Sequence, residues 1–202
     1  MIRLTKTGAW GQVAHLLATA PQRVHAAFDK ALLQEAQLLR TKVVEGIREQ
    51  APGGRAFTPL APTTLAIRRF RGFAGTKALL VHGDLRNSIT VVKEADAAFV
   101  GVLRTAKGRD GRSLVDIAAL HEHGSRPIVM TLTPKARAFL HAAFRRAGLD
   151  APAHRSSAIA VIQIPPRPIF GPVFERYAQP AEVSRRFLAR VAALLGRDFG
   201  TP

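Results

Sequence analysis

The residue group best suited to chemistry in this chain is His121-Glu122-His123, with Asp116 five residues before His121. Imidazole and carboxylate groups at such short spacing could bind a metal ion or exchange protons. Residues i and i+2 of a helix point in different directions, however, so they cannot converge on one ion as residues i and i+4 can. Gly124 follows directly and is typical of a helix end. We interpret the group as the last turn of a helix and expect neither a metal site nor a cofactor.

The other residue types that catalyse reactions do not form a recognisable pattern. The scattered aspartates are Asp84, Asp96, Asp110 and Asp116, without the grouping that a two-metal nuclease needs. Ser88 and Ser113 lie in no nucleophile elbow, and residues 53–54 and 108–111 lack the Gly-Lys-Ser/Thr step of a phosphate-binding loop. The chain has no cysteine, which excludes thiol nucleophiles, disulfides and thiolate zinc sites. We predict that the protein is not an enzyme and has no catalytic residues.

The charge of the chain predicts the kind of partner. Its 202 residues are 47% hydrophobic and 22% charged, enough apolar content for a buried core, and 30 Lys and Arg against 14 Asp and Glu give +16. Such an excess indicates a polyanionic or acidic partner, or an assembly that neutralises it. The candidate basic contacts are Arg68, Arg69 and Arg71, followed by Arg104, Lys107, Arg109 and Arg112.

Sequence-specific nucleic-acid binding is not expected, because only 6% of the residues are aromatic and Tyr177 is the single tyrosine. Two alternatives stay open for the basic residues. They could contact phosphates non-specifically, or they could form a solvated basic surface. The longest strongly apolar runs, residues 159–166 and 128–132, are far shorter than the roughly 20 residues that span a bilayer. We therefore expect no contact with a membrane and neither export nor anchoring.

The apolar spacing predicts a long amphipathic helix over residues 22–50. Its apolar positions, three or four residues apart, are Val24, Phe28, Leu32, Ala36, Leu39, Val43 and Ile47. Pro21 would stand in its first turn, after a shorter helix over 9–18, and Pro52-Gly53-Gly54 would end it.

The middle of the chain predicts short elements joined by loops. Pro62-Thr63-Thr64 would open a short helix, and Asp84 would cap a single turn that ends at Asn87. Strands over 88–92 and 98–102 would form an antiparallel hairpin. A helix over 114–123 would end at Gly124, where positive φ is needed.

The last third predicts a strand over 128–132, a helix over 133–147, a linker over 150–157 and a second β-prone run over 158–164. A final helix over 172–195 would kink or restart at Pro180. The predicted class is α+β, with a long N-terminal amphipathic helix, a small antiparallel sheet built on a hairpin, and a C-terminal helix. We predict one domain, 1–202. Its parts are the helical 1–50, the loop-rich hairpin and sheet part 51–127, an insert with a helix 128–165, and the C-terminal helix 166–202.

Four segments, taken in order, resemble the virion morphogenesis proteins of Mu-like and related tailed phages, a family of tail-completion and head–tail joining proteins. They are Phe57-Thr58-Pro59-Leu60-Ala61-Pro62-Thr63-Thr64-Leu65, Leu79 to Ile89 around Gly83-Asp84-Leu85, Ala118 to Gly124, and Ile164-Pro165-Pro166-Arg167-Pro168-Ile169-Phe170-Gly171. The positions that match the motifs are Pro59, Leu60, Thr64, Gly83, Leu85, Ser88, Ile89, His121, Gly124, Pro165, Arg167 and Pro168. The chain departs from the family in having His82 where threonine is usual and Pro166 where alanine is usual.

The resemblance implies a structural virion protein without an active site. It would be made in the host bacterial cytoplasm and form a homo-oligomeric ring of six or twelve subunits at the neck, or head-proximal tail end. Its neighbours would be head–tail connector, tail terminator or tail tube proteins, with non-specific contact to DNA in the channel as a secondary expectation. The alternatives are a tail terminator that caps the tail tube and a non-specific nucleic-acid-binding protein. Arg167 would make a buried or interfacial hydrogen-bonded ion pair, or else lie exposed between its prolines.

Overall fold

A computed structural model of the chain describes residues 10–149 and 158–199. Helices and small antiparallel sheets make up these ranges, which confirms the predicted α+β class. The helices are α1 Trp10–Glu49, α2 Pro62–Phe70, α3 Asp84–Ser88, α4 Leu114–His123, α5 Pro134–Arg146, α6 Gly171–Tyr177 and α7 Pro180–Phe199. The strands are β1 Ile89–Glu94, β2 Ala97–Val102, β3 Ile128–Thr131 and β4 Ile159–Ile162. None of the helices in the described ranges is long and apolar enough to cross a membrane.

The first helix is longer than the sequence predicts. α1 runs for 40 residues with Pro21 inside it, so the predicted start at Pro21 is wrong and the short helix over 9–18 is its first part. Proline deprives the carbonyl group four residues earlier, that of Leu17, of its helical N–H donor. Leu17 is exposed, so water can serve this carbonyl group and the helix continues.

The main core forms on the C-terminal half of α1. Val43 and Ile47 are fully buried there and pack with Leu85, Ile89 and Ile169. These residues come from α1, from α3 and β1, and from the segment before α6, so one apolar cluster connects the two ends of the chain. Burial of such side chains contributes about 1.5–3 kcal/mol each.

The N-terminal half of α1 uses a different face from the predicted one. Val24 and Phe28 remain partly exposed, whereas Ala27 and Ala31 are buried against Val191 of α7. The two alanines let the helices approach closely. The ring of Phe28 covers the edge of this contact, at 5.4 Å from the ring of Phe187.

A buried ion cluster joins α1 to α7. Glu35 is only 4% exposed, and its carboxylate accepts hydrogen bonds from Arg186, at 3.0 Å, and from Arg190. The Arg186 guanidinium also donates to the Tyr177 carbonyl oxygen, at 2.8 Å, and so connects α6 to the same cluster. A buried carboxylate needs such compensation, because leaving water costs it several kcal/mol. The pairing therefore selects one arrangement of the two helices.

The described residues form two sheets rather than the single one predicted. The predicted hairpin is confirmed: β1 and β2 pair from Ile89↔Val102 to Glu94↔Ala97, so the strands are longer and the turn shorter than expected. β3 and β4 form a separate antiparallel pair, from Ile128↔Ile162 to Thr131↔Ile159. All of α5 lies between β3 and β4 in the sequence, so no short turn motif predicts that these two strands pair.

The remaining helices follow the sequence closely. α4 ends at His123 as predicted. α5 packs against α2 through Ala143, Phe144 and Ala66. The C-terminal helix restarts at Pro180, which confirms the predicted effect of this proline. The linker predicted over 150–157 lies outside the described residues.

Candidate functional site: a junction of sequence motifs

Three of the four family-like segments meet at one place, which we call the motif junction. It consists of residues 57–60, the end of α4 with residues 121–125, and residues 164–171. Most contacts across it join a side chain to the backbone of another segment, and two join backbone to backbone. The junction therefore positions backbone, and the chemistry of its side chains is hydrogen bonding and charge compensation.

Arg167 connects the fourth family-like segment, residues 164–171, to the first, residues 57–65. It is 5% exposed; its Nε donates to the Thr58 carbonyl oxygen at 2.7 Å and its Nη2 to the Pro59 carbonyl oxygen at 3.1 Å. Its own amide donates to the His121 carbonyl oxygen at 2.6 Å. Within the described residues no carboxylate pairs with this guanidinium, so the predicted buried ion pair and the exposed alternative are both wrong, and the interfacial ion pair stays a prediction. Carbonyl groups take the place of a carboxylate because residues 58 and 59, next to a proline-rich bend, leave theirs unused by any helix or strand.

Glu122 is the opposing charge of the junction and binds three consecutive amides. Its Oε2 accepts from Ile169 N at 2.6 Å and from Phe170 N at 3.1 Å, and its Oε1 accepts from Gly171 N at 2.8 Å. These amides precede and open α6, so they have no helical acceptor of their own. A carboxylate is favoured here because it can accept several bonds and interacts well with the positive end of the helix.

Gly124 and Ser125 bring the fourth family-like segment, residues 164–171, against the end of α4. Gly124 has φ of 76°, and a Cβ there would lie 3.0 Å from Pro166 Cδ and 3.1 Å from the Ile164 carbonyl oxygen. Both the conformation and the space therefore require glycine. Ser125 N donates to Ile164 O at 2.9 Å, and Ile164 N donates to Ser125 Oγ at 2.8 Å. These paired bonds clamp residue 164 directly ahead of the Pro165–Pro168 bend.

His121 is partly buried at the end of α4, next to Arg167, whose amide binds its carbonyl oxygen. Its Nδ1 is buried without a hydrogen-bond partner. Burial, and then the charge of Arg167, lower the pKa of His121 below its ordinary value. The described residues contain no group of three histidines or carboxylates that could bind a metal ion. The imidazole is therefore a neutral packing group at neutral pH.

The second family-like segment lies in the main core instead of the junction. Leu85 and Ile89 are buried there, and Ser88 Oγ donates to Leu85 O at 2.8 Å. Gly83, with φ of 77°, is the N-cap of α3. Asp84 was expected to be the cap but is the first helical residue. Its carboxylate instead pairs with Arg109, Oδ1 to Nε at 3.2 Å, and accepts the Arg109 amide at 3.2 Å.

Four further motif positions support the junction, from within it or from a nearby element. Leu60 packs on the main core, and Thr64 lies in the first turn of α2. Pro165 and Pro168 flank the bend that carries Arg167, where proline keeps the backbone out of helical conformation. The motif positions thus divide between the junction and the core that holds it.

The first basic cluster is partly occupied within the chain. Arg68 donates to the Lys77 carbonyl oxygen at 2.8 Å, and the guanidinium of Arg71 lies 5.3 Å from the centre of the Phe139 ring. Burial and the nearby charge of Arg167 lower the pKa of Arg68, which places it beside the junction. Arg69 is exposed. This cluster therefore offers less free charge than its sequence indicates.

The second basic group lies on the loop between β2 and α4. Arg109 pairs with Asp84, and Arg112 with Asp110 at 3.4 Å, yet both arginine side chains remain largely exposed. Arg104 and Lys107 are exposed as well and pair with no carboxylate of the described residues. The loop therefore presents positive charge to solvent.

The sequence did not reveal the residues that satisfy most of the buried hydrogen-bonding groups and charges. Glu122 was considered only as a metal ligand or a proton-exchanging group, and Ser125 and Glu35 were not singled out. One signal was present: Glu35 continues the four-residue spacing of Ala27 and Ala31, so it had to share their buried face. The partners of Glu122 lie 47 to 49 residues away, beyond any local pattern.

Comparison with known proteins gives one finding. A model of the phage virion morphogenesis family matches residues 10–176, a range that includes the motif junction and both sheets. No curated protein and no solved structure matches the chain.

Replacing Glu122 should loosen the junction. In Glu122→Gln the amide group keeps one acceptor oxygen but turns an N–H donor toward backbone N–H groups. We expect the free energy of unfolding to fall by about 1.5–3 kcal/mol, the value of a hydrogen bond to a charged group. Urea denaturation measures this. The matched control is Glu175→Gln, which breaks an exposed pair with Arg55 and should cost under about 1 kcal/mol. Equal losses in the two variants would contradict the role of Glu122.

The buried imidazole should make stability depend on pH. As the pH falls through about 6.5, the unfolded chain protonates its histidines, whereas folded His121 resists protonation until lower pH. Its contribution to stability is thus complete above about pH 6.5 and is lost below it. Urea titrations at pH 7 and pH 5 should show a smaller loss in His121→Gln than in the unmodified protein. The exposed neighbour provides the control, since His123→Gln should keep the full loss.

Proposed function

The chain belongs to the phage virion morphogenesis family, and from this premise we propose that it forms a ring at the neck, or head-proximal tail end, of the particle. Membership implies a structural or assembly role and a place in the virion. The proposed ring completes the tail and joins it to the head. A tail terminator that caps the tail tube is the alternative role within the same family.

The observation that carries this proposal is the use made of the motif residues. Arg167, a motif position, and Glu122, which lies between the motif positions His121 and Gly124, both bind backbone groups of segments more than 40 residues away in sequence. A subunit of a closed ring must repeat one interface angle at every contact, which requires elements that do not shift. The motif junction supplies that rigidity, as expected where family motifs serve assembly.

The exposed charge suits docking on neighbouring rings. The 104–112 loop presents Arg104, Lys107, Arg109 and Arg112 at the surface. A ring multiplies this charge by its number of subunits, so acidic surfaces of connector, terminator or tail tube proteins would be attracted to it.

The same loop favours a second candidate function, non-specific contact with DNA. Arginine side chains that remain exposed after pairing can still contact phosphates. In a ring, these arginines would contact the phosphates of DNA that passes through the channel.

The location of the protein in the particle tests the proposed function. Immunogold labelling of virions should mark the neck, and particles made without this protein should appear as free heads beside complete tails. Tails of uncontrolled length would favour the terminator role instead. Label on the capsid shell or the distal tail, or unlabelled virions, would contradict both roles.

A titration with duplex DNA at two salt concentrations tests the second candidate. We expect weak binding by the isolated protein, because opposed carboxylates already reduce the field of the loop. Tight binding that falls steeply with salt, and that is reduced in Arg104→Gln with Lys107→Gln, would favour the DNA-binding function. Unchanged binding in that double variant would show that the loop does not contact DNA.

A further inference from the structure

The two longest apolar runs of the chain meet in a feature that we call the apolar ribbon, strands β3 and β4. Six large side chains of the ribbon are substantially exposed, with Val129 at 66% and Val161 at 64% as the extremes. They are Ile128, Val129, Met130, Ile159, Val161 and Ile162. Exposed apolar patches of more than a few hundred Å² mark interaction sites in soluble proteins.

Both faces of the ribbon are apolar. Directly paired residues point to the same side, so Ile128, Ile162 and Met130 share one face and Val129, Val161 and Ile159 share the other. A sheet that meets solvent on one side alternates apolar and polar residues, whereas this pattern is that of strands covered on both sides. An isolated pair of strands is marginal in water. The ribbon therefore calls for a partner that covers it.

The same chain carries a second apolar surface, which we call the β2 groove. It is a cleft of about 250 Å³ between β2 and α4, lined by Phe99, Val100, Gly101, Val102, Ala119 and Phe170 among others. Its ionisable lining residues are Glu122 and His123, and the Glu122 carboxylate is occupied by the three amides of the junction.

The strand beside this groove has an open edge. Glu94 and Ala97 flank a two-residue turn and so form a hydrogen-bonded pair, which by alternation directs the amides of Ala98, Val100 and Val102 away from β1. No backbone hydrogen bond from another described segment reaches these three residues. An added strand would satisfy them.

We propose that the apolar ribbon of one copy of this chain occupies the β2 groove of the next copy and adds a strand to its β1–β2 sheet. Strand addition is a common way for one chain to bind another, with backbone bonds providing affinity and side-chain pockets providing specificity. The inference rests on the proposed ring and names the surfaces that would close it.

The apolar surface of the ribbon favours a second copy of the chain as its partner. Each of its faces exposes three large apolar side chains. Seating the ribbon in the groove of a second copy would remove one such face from water, and the added strand would contribute backbone hydrogen bonds.

The charge pattern favours a second copy over an acidic partner. Two chains of +16 repel each other wherever their basic surfaces face. Residues 127–134 and 158–166 contain no charged side chain, so this is a part of the surface where like charges do not oppose contact. An acidic protein or DNA would gain nothing from it.

The geometry favours an open-ended contact. The ribbon and the groove are different surfaces, so pairing them is head-to-tail, and such contacts close into rings when the rotation between subunits allows it. The ribbon starts at the Ser125–Ile164 clamp, so the motif junction sets its direction relative to α4 and to the groove that α4 lines.

Cross-linking tests the proposal directly, because the chain has no cysteine of its own. Val129→Cys is placed on the ribbon and Val100→Cys in the groove, and the purified full-length proteins are treated with a short bis-maleimide. A mixture of the two single variants should yield one dimer band containing one copy of each. The double variant should yield a ladder that ends at the number of subunits in the ring. Each single variant alone should remain monomeric on the gel.

Two results would overturn the proposal. Cross-linking of Val129→Cys to itself would show that two ribbons pair symmetrically. Absence of any product from the mixture and the double variant, in solution at high concentration and in assembled particles alike, would show that the ribbon does not reach the groove.

A charge variant with a matched control provides a second readout. Val129→Glu with Val161→Glu places two carboxylates on one face of the ribbon without removing core contacts. Light scattering after size exclusion should show loss of the oligomer, at least tenfold in association constant, with an unchanged melting temperature. Leu188→Glu, at a residue of α7 that is 60% exposed, should leave the oligomer intact. Loss in the control alone, or in neither variant, would contradict the assignment.

These results are separable from the proposed function. Virions labelled at the neck without a 129–100 cross-link would retain the function and refute the ribbon contact. A ladder from a protein that is absent from virions would retain the contact and refute the function.

Discussion

The structure depends on one carboxylate, that of Glu122, which three consecutive amides of the 169–171 segment share. Those amides open α6 and follow a bend in which prolines exclude helical backbone, so nothing local could have satisfied them. Once Glu122 holds them, Ile169 and Val173 enter the core beside Ile47 of α1, and Arg167 reaches the carbonyl groups of residues 58 and 59. A single side chain thus coordinates four segments that have no common secondary structure.

A second buried carboxylate, that of Glu35, also binds several groups at once. Glu35 compensates two arginines of α7, as Glu122 compensates the start of α6. In a chain with twice as many basic as acidic residues, carboxylates are scarce, and these two are used inside the fold. The surface consequently keeps a large share of the positive charge.

How far the sequence predicted this molecule depended on the range of each signal. Helix ends with a local cause were predicted accurately, as at Gly124, where a left-handed residue is needed, and at Pro180, where an amide is missing. The β1–β2 hairpin was also local. The β3–β4 pairing and the partners of Glu122, Glu35 and Arg167 were not predicted, because each joins residues tens of positions apart. Pro21 misled because a proline interrupts an exposed helix less than it interrupts a buried one.

The position of the Glu35 cluster has a consequence for the order of folding. The partners of Glu35 are Arg186 and Arg190, which follow it by 151 and 155 positions in the sequence. The Glu35 carboxylate can therefore be buried only after α7 has been synthesised. Until then the N-terminal half of α1 lacks its packing partner, whereas the β1–β2 hairpin and α4 can form from neighbouring residues alone. Contacts of long sequence separation form slowly because a large loop must close first. The contact between the N-terminal half of α1 and α7 therefore forms only after most of the chain has been made.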